Sequence, residues 1–345
     1  MATHGDDPRR LRRREQAESR RRRRRRDVAF WSVIAIAVVA AVAWAVNPGW
    51  SLRGPSDEST AQAVAPSPTG GSDAPGPATT SPATTSTAVP ITTSTPAIDT
   101  HERDHGLKAS GTPARAKVTV PVLMYHRVAP PSTATNDVSY NLTVSPAQFR
   151  QQMKWLRANG YMAISQAELF RAIDDGATLP GKPVVITFDD GYVDAIKDVL
   201  PVLQPMGWPA TFFIITSRIG ERAFLDATQL RRLSGAGMDI GSHTVDHLEL
   251  PSLDDASRAQ QLTQSRATLE KLLGHPVRWF CYPAGRNDGA SAAAVAKAGY
   301  LLGYTTEGGS VLRADSLTQL PRVRVSGGQS LDSFAASVKA ASAAS

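Results

Sequence analysis

The stretch KPVVITFDDGY, residues 182–192, decides how the rest of the chain is read. Its apolar run is continuous rather than alternating, as in a strand covered on both faces, which points to a parallel sheet. The run then ends in two adjacent aspartates and a glycine, Asp189, Asp190 and Gly191. Two like charges at a desolvated strand end resist joint ionisation unless a cation or a proton compensates them. A cation held by one aspartate would leave the other free as a base.

Outward from this strand, apolar runs alternate with capped helical stretches. VTVPVLMYH (118–126), YMAIS (161–165), ATFFIIT (210–216), MDIGSH (238–243), RWFCY (278–282), YLLGYTT (300–306) and PRVRV (321–325) read as strands. Helices lie between them, entered at Ser145 and Ser165 and including the long stretch 254–274. Some eight strand candidates in such alternation predict a parallel sheet closed into a barrel, with chemistry at the C-terminal strand ends. Asp189 and Asp190 fall at such an end.

The N-terminal third has a different character. Residues 1–27 hold 12 Arg against five acids, a net of +7, which is the whole formal charge of the chain. The rest is neutral overall, so the basic balance does not indicate a nucleic-acid surface on the folded part. Residues 28–46 carry no charge, with Trp31 and Trp44 near the two ends. As a helix they would extend about 28 Å, the thickness of a bilayer core. The basic flank predicts a cytoplasmic N-terminus, a signal-anchor through the lipid bilayer, and everything after it outside the cell membrane. Cleavage after Ala43-Trp44-Ala45 is the alternative, and would release a secreted protein. Residues 47–117, rich in Pro, Ser, Thr and Ala, read as a disordered tether ahead of a domain at 118–345. The lone Cys281 excludes an intramolecular disulfide, and its type favours a small buried apolar role.

Four histidines fall in the domain: His126, His243, His247 and His275. His243 ends a strand and His247 follows four residues later, so a helical turn between them would put both rings on one side. Two imidazoles and a carboxylate form a common ligand set for Zn²⁺ or another first-row divalent metal. His275, between Gly274 and Pro276, reads as an exposed loop residue.

TFDDG (187–191), HTVDH (243–247) and FCYPAG (280–285) together resemble the first three motifs of the polysaccharide deacetylases, the carbohydrate esterase family with the NodB homology domain. The resemblance covers roughly 118–340. It implies a distorted (β/α)₇ barrel and metal-dependent hydrolysis of acetyl groups on a polysaccharide, usually N-acetyl groups of glucosamine. It further implies Asp190, His243 and His247 as metal ligands and Asp189 as general base. The cation would be Zn²⁺ first, with Co²⁺, Ni²⁺, Mn²⁺ or Fe²⁺ as alternatives. The backbone N–H of Ala284 would face the oxyanion, while Tyr192 and Tyr282 are either site walls or packing.

Two departures stand out. Cys281 occupies the position of an arginine that orients the base, and no histidine follows His275 to supply the late general acid. VPVLMYHRV (120–128) resembles the early YH segment of the poly-N-acetylglucosamine deacetylase subgroup, which makes His126 the acid. Arg322 or Arg324 would replace the missing arginine, with strand alternation expected to turn only one inward and Arg322 favoured. An O-acetyl esterase of the xylan type and an inactive carbohydrate-binding barrel are the other readings. Protein partners are not indicated.

Overall fold

The computed structural model describes residues 107–109 and 111–344. The Arg-rich tail, the apolar segment 28–46 and most of the tether lie outside the described residues. Among the described residues, no helix is long and apolar enough to cross a membrane.

Seven parallel strands form the barrel: β1 (Val122–Tyr125), β2 (Pro183–Phe188), β3 (Thr211–Ile214), β4 (Asp239–Ser242), β5 (Trp279–Cys281), β6 (Leu302–Gly308) and β7 (Leu320–Arg324). Their order around the ring is β1-β7-β6-β5-β4-β3-β2, and β2 closes onto β1 with Leu123 opposite Ile186. The eighth candidate, Met162–Ala163, pairs with the start of β2 and stays outside the ring. The run 118–126 is not one strand either. Lys117–Thr119 pairs antiparallel with Val311–Arg313, and β1 begins only after Pro121, which has no N–H to offer a ladder. Residues just before it are also tied to the domain, since the Ala114 and Arg115 N–H groups donate to Asp174 and Ile173.

The helices that wrap the ring are α1 (Pro146–Ala158), α2 (Gln166–Asp174), α3 (Ala227–Gly235), α4 (Asp255–Leu273), α5 (Gly289–Lys297) and α6 (Leu331–Ser342). Each starts where a side-chain oxygen takes up an otherwise orphaned N–H: Ser145, Ser165, Asp226, Asp254, Asp288 and Ser330 are the caps. After β2 the chain instead makes an irregular passage, a π-turn at Ala195–Val199 and one short α-turn at Leu200–Leu203. Pro201, which cannot donate to a helical ladder, lies within it.

Alternation along the strands separates two cores. Ile186, Phe188, Phe212, Ile240 and Phe280 pack outward with the helices. Val185, Phe213, Trp279, Cys281, Leu302 and Tyr304 fill the barrel, joined by Leu169, Phe170 and Ile173 of α2. At Gly241 a Cβ would lie 2.5 Å from the Phe213 ring and 2.9 Å from the Trp279 carbonyl. Only glycine lets β4 pass between those neighbours.

Candidate active site

Asp189 and Asp190 leave β2 at the C-terminal end of the barrel. Asp190 and Gly191 both take left-handed backbone (φ 72° and 79°), so the chain turns sharply. A Cβ at Gly191 would come within 3.0 Å of Ile214, and the turn therefore calls for glycine. Asp189 continues the inward alternation and is 2% exposed, while Asp190 faces the neighbouring histidines.

Asp189 is gripped by Arg322. The two guanidinium nitrogens donate to its two carboxylate oxygens at 2.8 and 2.7 Å. The same guanidinium donates to the Thr305 carbonyl at 2.9 Å and to Thr187 Oγ1 at 3.1 Å, so the fork cannot swing. Burial works against ionisation of Asp189, but the Arg322 charge and hydrogen bonds outweigh it and hold the carboxyl well below the usual carboxylate range. Burial in turn opposes the Arg322 charge, and Asp189 overcomes it.

The alternation argument for choosing between the two arginines does not hold. Residues two apart on a strand share a face. Depth separates them instead: Arg322 is fully buried, and Arg324 is exposed at the rim. Cys281 lies with its sulfur 3.1 Å from Arg322 and 3.6 Å from Asp189. Its small side chain leaves room for a guanidinium arriving from β7. Burial pushes the Cys281 thiol up, so it stays a neutral, packed group.

The other aspartate joins two rings. Asp190 Oδ1 lies 3.5 Å from His243 Nε2 and 3.6 Å from His247 Nε2, and the three ligand atoms all lie within 4.8 Å of one another. His243 Nδ1 is 2.7 Å from the Cys281 carbonyl, which can only accept, so this nitrogen carries the proton. Burial opposes a charge on His243, but Cys281 and the Asp190 carboxylate outweigh it and hold the ring well above the ordinary imidazole value, so a cation at Nε2 would have to displace the proton that faces Asp190. Burial and the charge on His243 pull His247 down to about 4, which keeps the His247 ring neutral. The turn between the two histidines is not helical, because Thr244 and His247 have φ of 66° and 57°. The rings meet through that left-handed turn rather than through helical spacing.

A second cluster of candidate ligands, Asp189, His243 and Cys281, suits a cation less well. Arg322 already occupies both oxygens of Asp189, and a second cation beside it would be repelled.

His126 follows β1, with Nε2 3.8 Å from Asp189 Oδ2 and a side chain 12% exposed. Burial lowers its pKa, with Asp189 and Asp190 pulling the other way. Ala284 sits exposed in the turn Pro283–Gly285 with left-handed backbone (φ 52°). Tyr192 is half-buried beside the site. Its ring stacks on Phe224 at 5.1 Å, and the Arg127 guanidinium lies 5.5 Å from its centroid. Burial and the Asp190 charge push its hydroxyl up to about 12.

Two expectations are corrected. Tyr282 is no wall of the site: it is fully buried in the outer core, edge-on to Phe280 at 4.9 Å. Alternation places it opposite to Cys281. His275 is half-buried rather than free in a loop, with Nε2 3.0 Å from Ser234 Oγ. Sequence reasoning also missed the Arg127–Asp194 pair at 2.6 Å and the Phe224 platform, whose positions carry no motif.

Residues 176–303 match the polysaccharide deacetylase family. The chain is 34% identical over 220 residues to YxkH of Bacillus subtilis (strain 168), assigned to the polysaccharide deacetylases; the match covers 64% of this chain and 76% of that one. It is 27% identical over 240 residues to the poly-beta-1,6-N-acetyl-D-glucosamine N-deacetylase of Escherichia coli (strain K12), covering 56% of this chain but only 35% of that enzyme. Among solved structures, the Streptococcus pyogenes deacetylase PplD in complex with acetate superposes with a TM-score of 0.59 at 30% identity, over 66% of this chain and 99% of that one. The chain belongs to the polysaccharide deacetylase family, a family of hydrolases.

Proposed function

We propose that this protein is a metal-dependent deacetylase that removes N-acetyl groups from an N-acetylglucosamine-containing polysaccharide outside the cell membrane. Residues 28–46 would anchor it in the bilayer, and the charge asymmetry around them supports that orientation. The observation that carries the reading is the division of labour between neighbours: Asp189 is held by Arg322, while Asp190 converges with His243 and His247.

The donor set suits a divalent cation, since two imidazole nitrogens and one carboxylate oxygen lie within 4.8 Å of one another, and a cation there would displace the His243 proton. A cation held by Asp190, His243 and His247, Zn²⁺ first among the candidates, would polarise the acetyl carbonyl and lower the pKa of a bound water. The residues of the chain supply the rest. Asp189, ionised and oriented by Arg322, takes the proton of the attacking water. The N–H of Ala284 donates to the oxygen on which charge develops. His126, across from Asp189, gives its proton to the departing amine of the sugar.

The support for the substrate is of two kinds. The YH segment of β1 resembles the subgroup that acts on poly-N-acetylglucosamine, and several related enzymes are named for that polymer. Acetate release by the full chain from N-acetylglucosamine polymers tests the reading. Release should be lost with a chelator and restored by Zn²⁺ or Co²⁺. Failure on every N-acetylated glycan tried, by protein that retains metal, would overturn it.

A further inference from the structure

His243 is fixed by its bond to the Cys281 carbonyl, but His247 has a side chain 36% exposed and sits at the end of a strained turn. Something must hold residues 244–247 for the two rings to meet. Part of the answer is local: the His247 N–H donates to Thr244 Oγ1 at 3.0 Å. Another part comes from the loop after β3, where the Thr216 and Ser217 N–H groups donate to the carbonyls of Thr244 and Val245. The third part is a single side chain on α4.

Gln261 is 8% exposed and uses both ends of its amide on this turn. Its Oε1 accepts from two consecutive N–H groups, Val245 at 3.0 Å and Asp246 at 2.9 Å. Its Nε2 donates to Asp246 Oδ2 at 2.8 Å. One turn further along the same helix, Ser265 Oγ lies 2.7 Å from Ser242 Oγ, at the residue before His243. Residues four apart share a helix face, so α4 grips the segment at both ends of the histidine pair.

We infer that Gln261 is a positioning residue that sets the metal-binding turn, and that it acts through Val245 and Asp246 without touching a ligand. The inference rests on the metal-dependent reading above. Chemistry makes the side chain specific. A shorter Asn would not reach. An apolar residue would leave two turn N–H groups without an acceptor. A Glu would still accept from both N–H groups but would set its carboxylate against that of Asp246.

That last point supplies the test. Zn²⁺ affinity of the full chain is measured by competition with a chromogenic chelator, and amide exchange at Val245 and Asp246 is followed in the metal-free protein. Gln261→Ala should weaken Zn²⁺ by about tenfold, the usual size for a residue that orients metal ligands, and should speed both exchanges. Gln261→Glu should also weaken binding. The exchanged pair Gln261→Glu/Asp246→Asn reverses the donor and acceptor, and should return within about threefold of wild type because the two positions are coupled. That recovery guards against a general loss of folding, which the swap would not repair.

Wild-type affinity in folded Gln261→Ala would overturn the inference and leave the metal reading standing. An exchanged pair as weak as Gln261→Glu alone would do the same. Absence of Zn²⁺ binding by the wild-type chain would overturn both.

Discussion

The two ends of the barrel each hold a polar cluster, and the clusters behave in opposite ways. At the N-terminal end, Gln166 donates from Nε2 to Thr211 Oγ1 at 2.9 Å, accepts from the Tyr304 hydroxyl at 2.5 Å, and donates its backbone N–H to Asp239 Oδ2 at 3.1 Å. There polar groups satisfy one another, and α2 closes the end. At the C-terminal end, Asp189 is equally satisfied by Arg322, but Asp190 Oδ1 and the Nε2 atoms of His243 and His247 face a common point. Buried polar groups that consume each other's donors hold a fold together. A carboxylate oxygen that converges with two imidazole nitrogens is what a cation can use, by taking the place of the proton on His243.

That contrast can be broken in several ways. The largest effect is expected at Asp189→Asn, which keeps the shape but cannot take a proton. Deacetylation should fall by about 10³-fold or more, with Zn²⁺ affinity retained because Asp190 is untouched. An unchanged rate would remove Asp189 as the base.

Next is Arg322→Met, which leaves Asp189 buried without its cation. We expect a loss of about 3–5 kcal/mol at neutral pH, read from urea unfolding. The pH dependence should also change sign. In the wild type the folded Asp189 pKa is depressed, so its contribution is present above the unfolded value and is lost only as pH falls below about 4. In the variant, burial alone raises the folded pKa. Protonation then relieves the penalty, and stability should rise as pH is lowered from 7 toward 5. A variant as stable as wild type, with a flat profile over that range, would contradict the role given to the pair.

His126→Ala should reduce the rate by about 10²-fold with little change in metal binding. A loss under about tenfold would argue against His126 as the acid. The smallest effect belongs to the closed end. Tyr304→Phe removes one buried hydrogen bond and should cost about 1–2 kcal/mol of stability with kcat unchanged. A marked drop in kcat would mean that the two ends are coupled, and the comparison would need revising.

Much of this architecture was legible along the chain. The strand 183–188, the capped helices and the acidic pair follow from local pattern, because apolar periodicity and capping chemistry act over a few residues. The motif resemblance also picked out Asp189, Asp190, His243, His247 and His126, and the folded chain brings all five to one end of the barrel.

Other features are set by contacts between residues far apart, which no local pattern encodes. Arg322 reaches Asp189 across 133 positions, and its fit beside Cys281 depends on the depth of β7 in the barrel rather than on alternation. Along the chain Tyr282 stays open between site wall and packing, and the pleat of β5 decides it by turning the ring into the outer core. The histidine spacing suggested a helix, whereas two left-handed residues make the turn and Gln261 braces it from α4. By itself, then, the sequence determined which side chains could carry the chemistry and which segments would form strands and helices. Tertiary structure alone decided which of them meet, because closing a seven-stranded ring brings distant strand ends to one place and fixes the direction in which each side chain points.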